Sequence, residues 1–271
     1  MSEREQYQPG VPCWVDTAGP DVDSARSFYA GVFGWEFAGP GAMPGDPPGQ
    51  YFVARLRGRD VAGISSLPAG DPPQPGWNTY IAVDSADDVA QRGQNAGGSV
   101  IVAPFDAEPA GRMAVLADPC GAQFCVWEAQ QRRGAQLVNE PSAWAMSALN
   151  TSETGRAEAF YGDLFGWQSE HVDFGDAEIT LWRLPGYVGG EPHQPVPRDV
   201  VGVMMPRPGG DGRSSWSVDF WVKDADLAAA NAAELGGTIL LGPLDTPGFR
   251  TAVIADPHGA VFSVSQLNVP V

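Results

Sequence analysis

The chain repeats itself, and that repetition limits the folds open to it more than any other feature. FYAGVFGWEF, from Phe28 to Phe37, returns as FYGDLFGWQS, from Phe160 to Ser169, 132 residues later. GWNTYIAVDSAD, starting at Gly76, returns as SWSVDFWVKDAD, starting at Ser215, 139 residues later. GRMAVLADPCGAQFCVWE, starting at Gly111, returns as FRTAVIADPHGAVFSVSQ, starting at Phe249. Three blocks kept in one order describe two homologous halves. Their junction falls between Ala129 and Glu140, which gives domains 1–134 and 135–271. The seven residues gained between the first two blocks fall in LPGYVGGEPHQPVPRD, Leu184 to Asp199. That stretch is rich in Gly and Pro and lacks periodicity, so an exposed loop is expected there.

Each half divides again into two similar modules. The first module opens with a strand at Pro12–Thr17, followed by a helix carrying Ala25, Phe28, Tyr29 and Val32 at helical spacing. Gly34 is placed to end that helix in the left-handed conformation. Strands are expected at 51–56 and 61–67. The second module predicts a strand over 79–83, a helix over 86–95 closed by Gly97 and Gly98, and strands at 100–103, 113–117 and 123–128. Asp118-Pro119-Cys120-Gly121 reads as a tight turn between the last two, and Asp256-Pro257-His258-Gly259 repeats it. The fold class is therefore α+β, with four βαβββ modules.

With FYAGVFGW, FYGDLFGW, GGSVIVAPF, GGTILLGPL, ADPCGA and ADPHGA in this order, the chain resembles the vicinal oxygen chelate superfamily over almost its whole length. That superfamily includes glyoxalase I, bleomycin- and fosfomycin-resistance proteins and extradiol dioxygenases. The resemblance is strongest to a tandem actinobacterial branch with members in polyketide-antibiotic gene clusters. It implies two glyoxalase-like domains, each a U-shaped, partly open mixed sheet whose concave face holds the ligand. It also implies metal ligands on the opening strand of each module and on the strand after the DPxG turn. In this chain those positions carry Trp14, Asn78 and Cys125 in the first half, and Met146, Ser217 and Ser263 in the second. A divalent ion needs several His, carboxylate or thiolate donors converging on one point, and neither set supplies them. A register shifted by one residue would instead put Cys13, Val15, Phe124, Val126, Val218, Phe220, Phe262 and Val264 on the ligand face. Those residues suit the convex face under the helices. His171, His193 and His258 fall after the FGW segment, in the insertion and in a turn, where solvation is expected. The reading is a chain with no metal and no cofactor.

Composition narrows the partners. The formal net charge is −17, with 33 acidic residues against 16 basic ones. No basic patch suited to nucleic acid is present, and anionic membranes are disfavoured. No stretch is apolar enough to span a bilayer, and MSEREQYQPG lacks the apolar core of a secretory leader. Cys13, Cys120 and Cys125 form no disulfide framework, consistent with reduced thiols in a cytoplasm. A monomer or a homodimer is expected.

Strand alternation yields a list of concave-face residues. In the first half they are Trp14, Asp16, Asn78, Tyr80, Gln123, Cys125 and Trp127. In the second they are Trp144, Met146, Ser217, Asp219, Trp221, Val261, Ser263 and Ser265. Large rings with sparse polar anchors describe a small-molecule pocket. Three functions stay open. One is metal-free binding of a hydrophobic or aromatic molecule, such as an antibiotic or other secondary metabolite, for sequestration or carriage. Another is a metal-independent tailoring enzyme, or an accessory to oxygenation, with Asp16, Tyr80 and Asp219 as acid–base groups. The third is a degenerate scaffold that binds another protein. Arg112 and Arg250, equivalent in the two halves, are expected to be structural, and Cys125 to be a buried inert thiol.

Overall fold

Alternate side chains of a strand go to opposite faces of its sheet. β13 (Ser215–Trp221) shows the pattern: Trp216, Val218 and Phe220 are buried, while Ser215, Ser217 and Asp219 between them are half-buried. The computed structural model describes residues 3–43, 49–67, 76–174, 177–189, 198–207 and 213–268. Within them lie sixteen strands and four helices.

The first half contains β1 (Pro12–Gly19), α1 (Val22–Phe33), β2 (Glu36–Ala42), β3 (Gln50–Leu56) and β4 (Arg59–Ser66). It continues with β5 (Trp77–Ala82), α2 (Ala86–Asn95), β6 (Ser99–Ala107), β7 (Gly111–Ala117) and β8 (Gln123–Ala129). The second half repeats that order: β9 (Trp144–Thr151), α3 (Thr154–Phe165), β10 (Gln168–Phe174), β11 (Ala177–Arg183), β12 (Val200–Pro206), β13, α4 (Ala225–Glu234), β14 (Thr238–Thr246), β15 (Phe249–Ala255) and β16 (Val261–Leu267). Each half forms one eight-stranded sheet, ordered β2-β3-β4-β1-β5-β8-β7-β6 and β10-β11-β12-β9-β13-β16-β15-β14. Both sheets are mixed. β1 runs parallel to β4 and β5 to β8, while the antiparallel pair β1–β5 joins the two modules. Consecutive modules therefore pair within each half. No helix among the described residues is long and apolar enough to cross a membrane.

Local chemistry fixes the helix ends. Asp21 caps α1, accepting from the backbone N–H groups of Asp23 and Ser24, and Gly34 ends it at φ 71°. α3 ends the same way at Gly166, φ 74°. In the Asp-Pro turns, Asp118 Oδ1 accepts from the N–H of Cys120 and of Ala122, and Asp256 Oδ1 from those of His258 and Ala260.

The residues expected on the convex face are buried there. The helices they meet belong partly to the other half. Phe28 and Phe33 of α1 touch Phe262, and Phe33 also meets Phe220, both rings on the second sheet. Phe124 of the first sheet packs on Phe160 and Tyr161 of α3. The exchange is reciprocal in its hydrogen bonds too. Tyr29 donates to Asp256 at 3.0 Å and accepts from Trp77 Nε1 at 3.1 Å. Tyr161 donates to Asp118 at 3.2 Å and accepts from Trp216 Nε1 at 2.9 Å.

Candidate functional site in the second sheet

The two concave faces share one scaffold and differ in what stands on it. Tyr80 pairs with Trp14 and Cys125 in the first sheet as Asp219 pairs with Met146 and Ser263 in the second. By the same registers, Asp16, Asn78 and Gly63 correspond to Ala148, Ser217 and Val203, and Met113 with Trp127 to Thr251 with Ser265. Asp16, Tyr80, Met113 and Trp127 thus stand where the second half has the smaller Ala148, Asp219, Thr251 and Ser265, and only Gly63 among these places is enlarged there, to Val203.

In the first half those side chains close on one another. Asp16 is 4% exposed, Trp14 4%, Tyr80 7%, Cys125 2% and Trp127 7%. Asp16 Oδ1 accepts from Asn78 Nδ2 at 2.9 Å; Oδ2 accepts from the Tyr80 hydroxyl at 2.7 Å and the Tyr51 hydroxyl at 3.1 Å. Trp14 Nε1 in turn donates to the Tyr51 oxygen at 2.8 Å. Tyr51 comes from β3 and passes over Gly63, where a Cβ would lie 2.0 Å from its hydroxyl oxygen. The junction between halves completes the plug. Arg132 lies over the Trp14 ring at 5.6 Å, its carbonyl accepts from Trp127 Nε1 at 2.8 Å, and its guanidinium pairs with Asp60 at 2.7 Å. Burial raises the Asp16 carboxyl above its ordinary range, against three hydrogen bonds that favour the charged form. Asn78 is half-buried at the edge of this network, and Gln123 is exposed.

The second half is hollow. A cavity of about 1250 Å³ lies over its concave face. All eight concave-face residues expected there, Trp144, Met146, Ser217, Asp219, Trp221, Val261, Ser263 and Ser265, line it. None of the seven from the first half does. Alternation could not supply the walls that come from other strands: Ile179 and Leu181 on β11, Val203 and Met205 on β12, Thr251 and Val253 on β15. Tyr187, from the insertion, and Tyr7, from the N-terminal arm, also contribute.

The floor is polar around one carboxylate. Asp219 Oδ1 accepts from Ser263 Oγ at 2.6 Å and Ser265 Oγ at 2.8 Å. Ser265 lies 3.2 Å from Thr251 Oγ1. Burial pushes the Asp219 carboxyl up to about 6, with the two serine hydroxyls pulling the other way. Beside it, Asn150 Nδ2 donates to Ser217 Oγ at 3.0 Å, and Ser217 to the Ala148 carbonyl at 3.3 Å.

The side chains at the family's metal positions do not fit a divalent ion. Trp14, Asn78 and Cys125, or Met146, Ser217 and Ser263, offer at most one soft donor per sheet. Among the described residues no three His, Cys, Asp or Glu side chains converge. Burial also holds the Cys125 thiol well above its ordinary value.

Of the two described histidines one departs from the expected solvation. His171 is exposed, 3.6 Å from Glu158 and 3.7 Å from Glu178. His258 is not fully solvated: the DPxG turn half-buries it, and its Nε2 is buried with no hydrogen-bond partner among the described residues. His193 and residues 190–197 of the insertion lie outside the described residues; of the flanks, Leu184 is buried and Val188 exposed. Arg112 grips Asp87 through two nitrogens at 2.7 and 3.0 Å, and Arg250 grips Asp226 at 2.6 and 2.8 Å. Both tie a sheet to the start of its own second helix, a structural role.

A tandem of βαβββ modules paired into two eight-stranded mixed sheets defines a glyoxalase-like class of protein. Residues 14–126 match the family described as Glyoxalase/Bleomycin resistance protein/Dioxygenase superfamily, and residues 146–265 match Glyoxalase-like domain. The chain belongs to this superfamily. It is 38% identical to the glyoxylase-named protein CFP32 of Mycobacterium tuberculosis, over 97% of both chains. It is 34% identical to the anthracycline biosynthesis protein DnrV of Streptomyces peucetius, over 97% of this chain and 95% of that one. Among solved structures, the 2,3-dioxygenase LapB from Pseudomonas sp. KL28 shares the fold at TM-score 0.63 and 13% identity, over 96% and 93% of the two chains. The Mn(II)-bound glyoxalase from Novosphingobium aromaticivorans does so at TM-score 0.61 and 18% identity, over 96% and 82%.

Proposed function

We propose that this chain binds a flat, hydrophobic aromatic small molecule in the second-half cavity, held by ring contacts and a polar floor instead of a metal. The observation that carries this reading is the contrast between the halves. Trp14, Tyr51, Tyr80 and Trp127 close over the first scaffold and line no part of the cavity, whereas Trp144, Trp221 and Met146 line the cavity of the second, the two indoles by their edges at 5% and 7% exposure. At about 1250 Å³ the cavity has room for a polycyclic ligand, since drug-sized pockets run to about 300–1,000 Å³. Indole faces would add about 0.5–1.5 kcal/mol per stacked ring. Relatives named for anthracycline biosynthesis, DnrV and DauV, support an aromatic secondary metabolite as the ligand class. The test is titration of tryptophan fluorescence with polycyclic aromatics, with and without chelator. Saturable quenching indifferent to chelator is expected. Binding that appears only on adding Fe²⁺, Ni²⁺ or Zn²⁺ counts against the reading, as does no binding by any member of a broad panel.

One observation favours a second reading, a metal-independent tailoring enzyme. Asp219 is a carboxylate whose proton affinity burial brings close to neutral pH, in a cavity that admits a ligand. As catalytic residue it would take or return a proton at the bound molecule. Asp16 and Tyr80 suit that role less, since each is consumed by the other. Turnover that survives chelator and falls at least about a hundredfold in Asp219→Ala would favour this reading over carriage.

A further inference from the structure

We infer that Asp219 reads a hydroxyl on the ligand, so that the class bound is a phenolic or enolic polycycle and not a bare aromatic hydrocarbon. This deepens the binding reading above and rests on it. The two serine hydroxyls both point at Oδ1, which fixes the carboxylate plane. Among the described residues, none donates to Oδ2. The hydroxyls around the carboxylate are already committed: Ser263 and Ser265 to Oδ1, Ser217 to the Ala148 carbonyl. The floor thus offers an incoming molecule an acceptor. The strands that flank Asp219 place Met146 and Ser263 beside it, and neither titrates. Of the other charged side chains that line the cavity, Arg183 is paired with Glu170, also in the lining, and with Asp199, and Arg207 donates to the Arg213 carbonyl; Asp173 and Arg4 complete the charged lining.

The first half indicates which donor fits. There the equivalent face of the first sheet carries its carboxylate, Asp16, at the place of Ala148, beside the place of Asp219, which Tyr80 itself occupies; two phenols lie over that carboxylate. Tyr80 and Tyr51 donate to one oxygen at 2.7 and 3.1 Å, between Trp14 and Trp127. The filled half shows that this face accommodates a phenol–carboxylate contact, with donor and acceptor on exchanged strands, and the hollow half lacks those rings. An ammonium carries three donors and meets one open oxygen; a phenol carries one. The raised proton affinity of Asp219, to about 6, leaves it a carboxylate acceptor at neutral pH.

The experiment compares 2-hydroxyanthraquinone, anthraquinone and 2-(aminomethyl)anthraquinone on the full-length chain. The hydroxyl compound should bind about ten- to a hundredfold more tightly than anthraquinone, the range for a hydrogen bond to a charged group. Asp219→Ala should bring that ratio close to one. A visible-band pH titration of the bound dye gives an independent readout. A phenolate beside a carboxylate is disfavoured, so the bound phenol should ionise at higher pH than the free dye, and Asp219→Asn should remove most of the difference. Equal affinities in the wild-type chain, an unshifted dye, or tighter binding of the amine would each overturn the inference. If none of the three compounds binds, the binding reading itself fails, which is a separate outcome.

Discussion

A buried carboxylate takes its behaviour from the groups it faces, and Asp16 and Asp219 face different ones. Asp16 has three side-chain donors and no open space. Replacing it with Ala strands the Tyr51, Tyr80 and Asn78 donors, each costing about 1–3 kcal/mol when left unsatisfied. Thermal denaturation of Asp16→Ala should therefore show a loss of about 3 kcal/mol or more, with ligand affinity in the second cavity unchanged. Asp219 shows itself through pH instead. Its folded-state value lies near 6, above the ordinary 3.8, so the folded form binds the proton more tightly. The stability this contributes is full below the unfolded value and is lost as pH rises through about 6. Asp219→Asn removes the ionisable group. Its melting temperature relative to wild type should rise between about pH 4 and pH 7 and level off above, as a pH series of melts would show. No trend, or the opposite one, would mean that Asp219 is not desolvated. Asp219, Ser263 and Ser265 were legible in the sequence because a strand's period of two separates cavity from core without further information. Tyr51 was not, because it reaches Asp16, two strands away in the sheet order, only across Gly63 on the strand between, a contact no local pattern encodes.

At the level of strands, the plug and the cavity are alternatives on one frame. Gly63 leaves room for the Tyr51 hydroxyl where Val203 occupies the equivalent place in the second sheet. Gly63→Val should expel Tyr51, break the Trp14–Tyr51–Asp16 chain and lower the melting temperature, with second-cavity binding intact at 25 °C. The converse change is Ser265→Trp, which installs the residue found at that register in the first half, Trp127. Fluorescence titration should then show binding weakened by at least about tenfold, while the fold survives, because a ring at this position is already compatible with this sheet type. The elements themselves were read well where burial is one-sided, as in α2, whose ends at Ala86 and Asn95 match expectation. β2 was missed because Gly39-Pro40-Gly41 interrupts its alternation, and its pairing with β3 shifts register there. β6 was read short for a related reason. Ile101 and Val102 on this outer strand are both exposed, so no period survives, and Pro104 falls inside the strand.

At the scale of the whole molecule, duplication made two sheets whose backs are not self-sufficient. α1 lays Phe28, Tyr29 and Phe33 against Phe220 and Phe262 of the other sheet, and α3 presents Phe160 and Tyr161 to Phe124. Expressed alone, residues 1–134 or 135–271 would expose these rings, an apolar area large enough to drive aggregation. The repeat disclosed the two copies but not this exchange, because packing between copies leaves no period in the sequence. Tyr29 and Tyr161 are the polar pins of the arrangement, each joining a helix of one half to the Asp-Pro turn of the other. A hydroxyl bonded to a buried carboxylate contributes about 1.5–3 kcal/mol, and its loss also leaves an indole N–H of Trp77 or Trp216 unpaired. If the halves are one cooperative unit, Tyr29→Phe and Tyr161→Phe should each shift a single denaturant transition to lower midpoint, with near-ultraviolet signals from both halves moving together. Were the halves independent, each variant would split the curve, Tyr29→Phe leaving the cavity-bearing half's ligand-protected transition where it stood and Tyr161→Phe moving that transition alone.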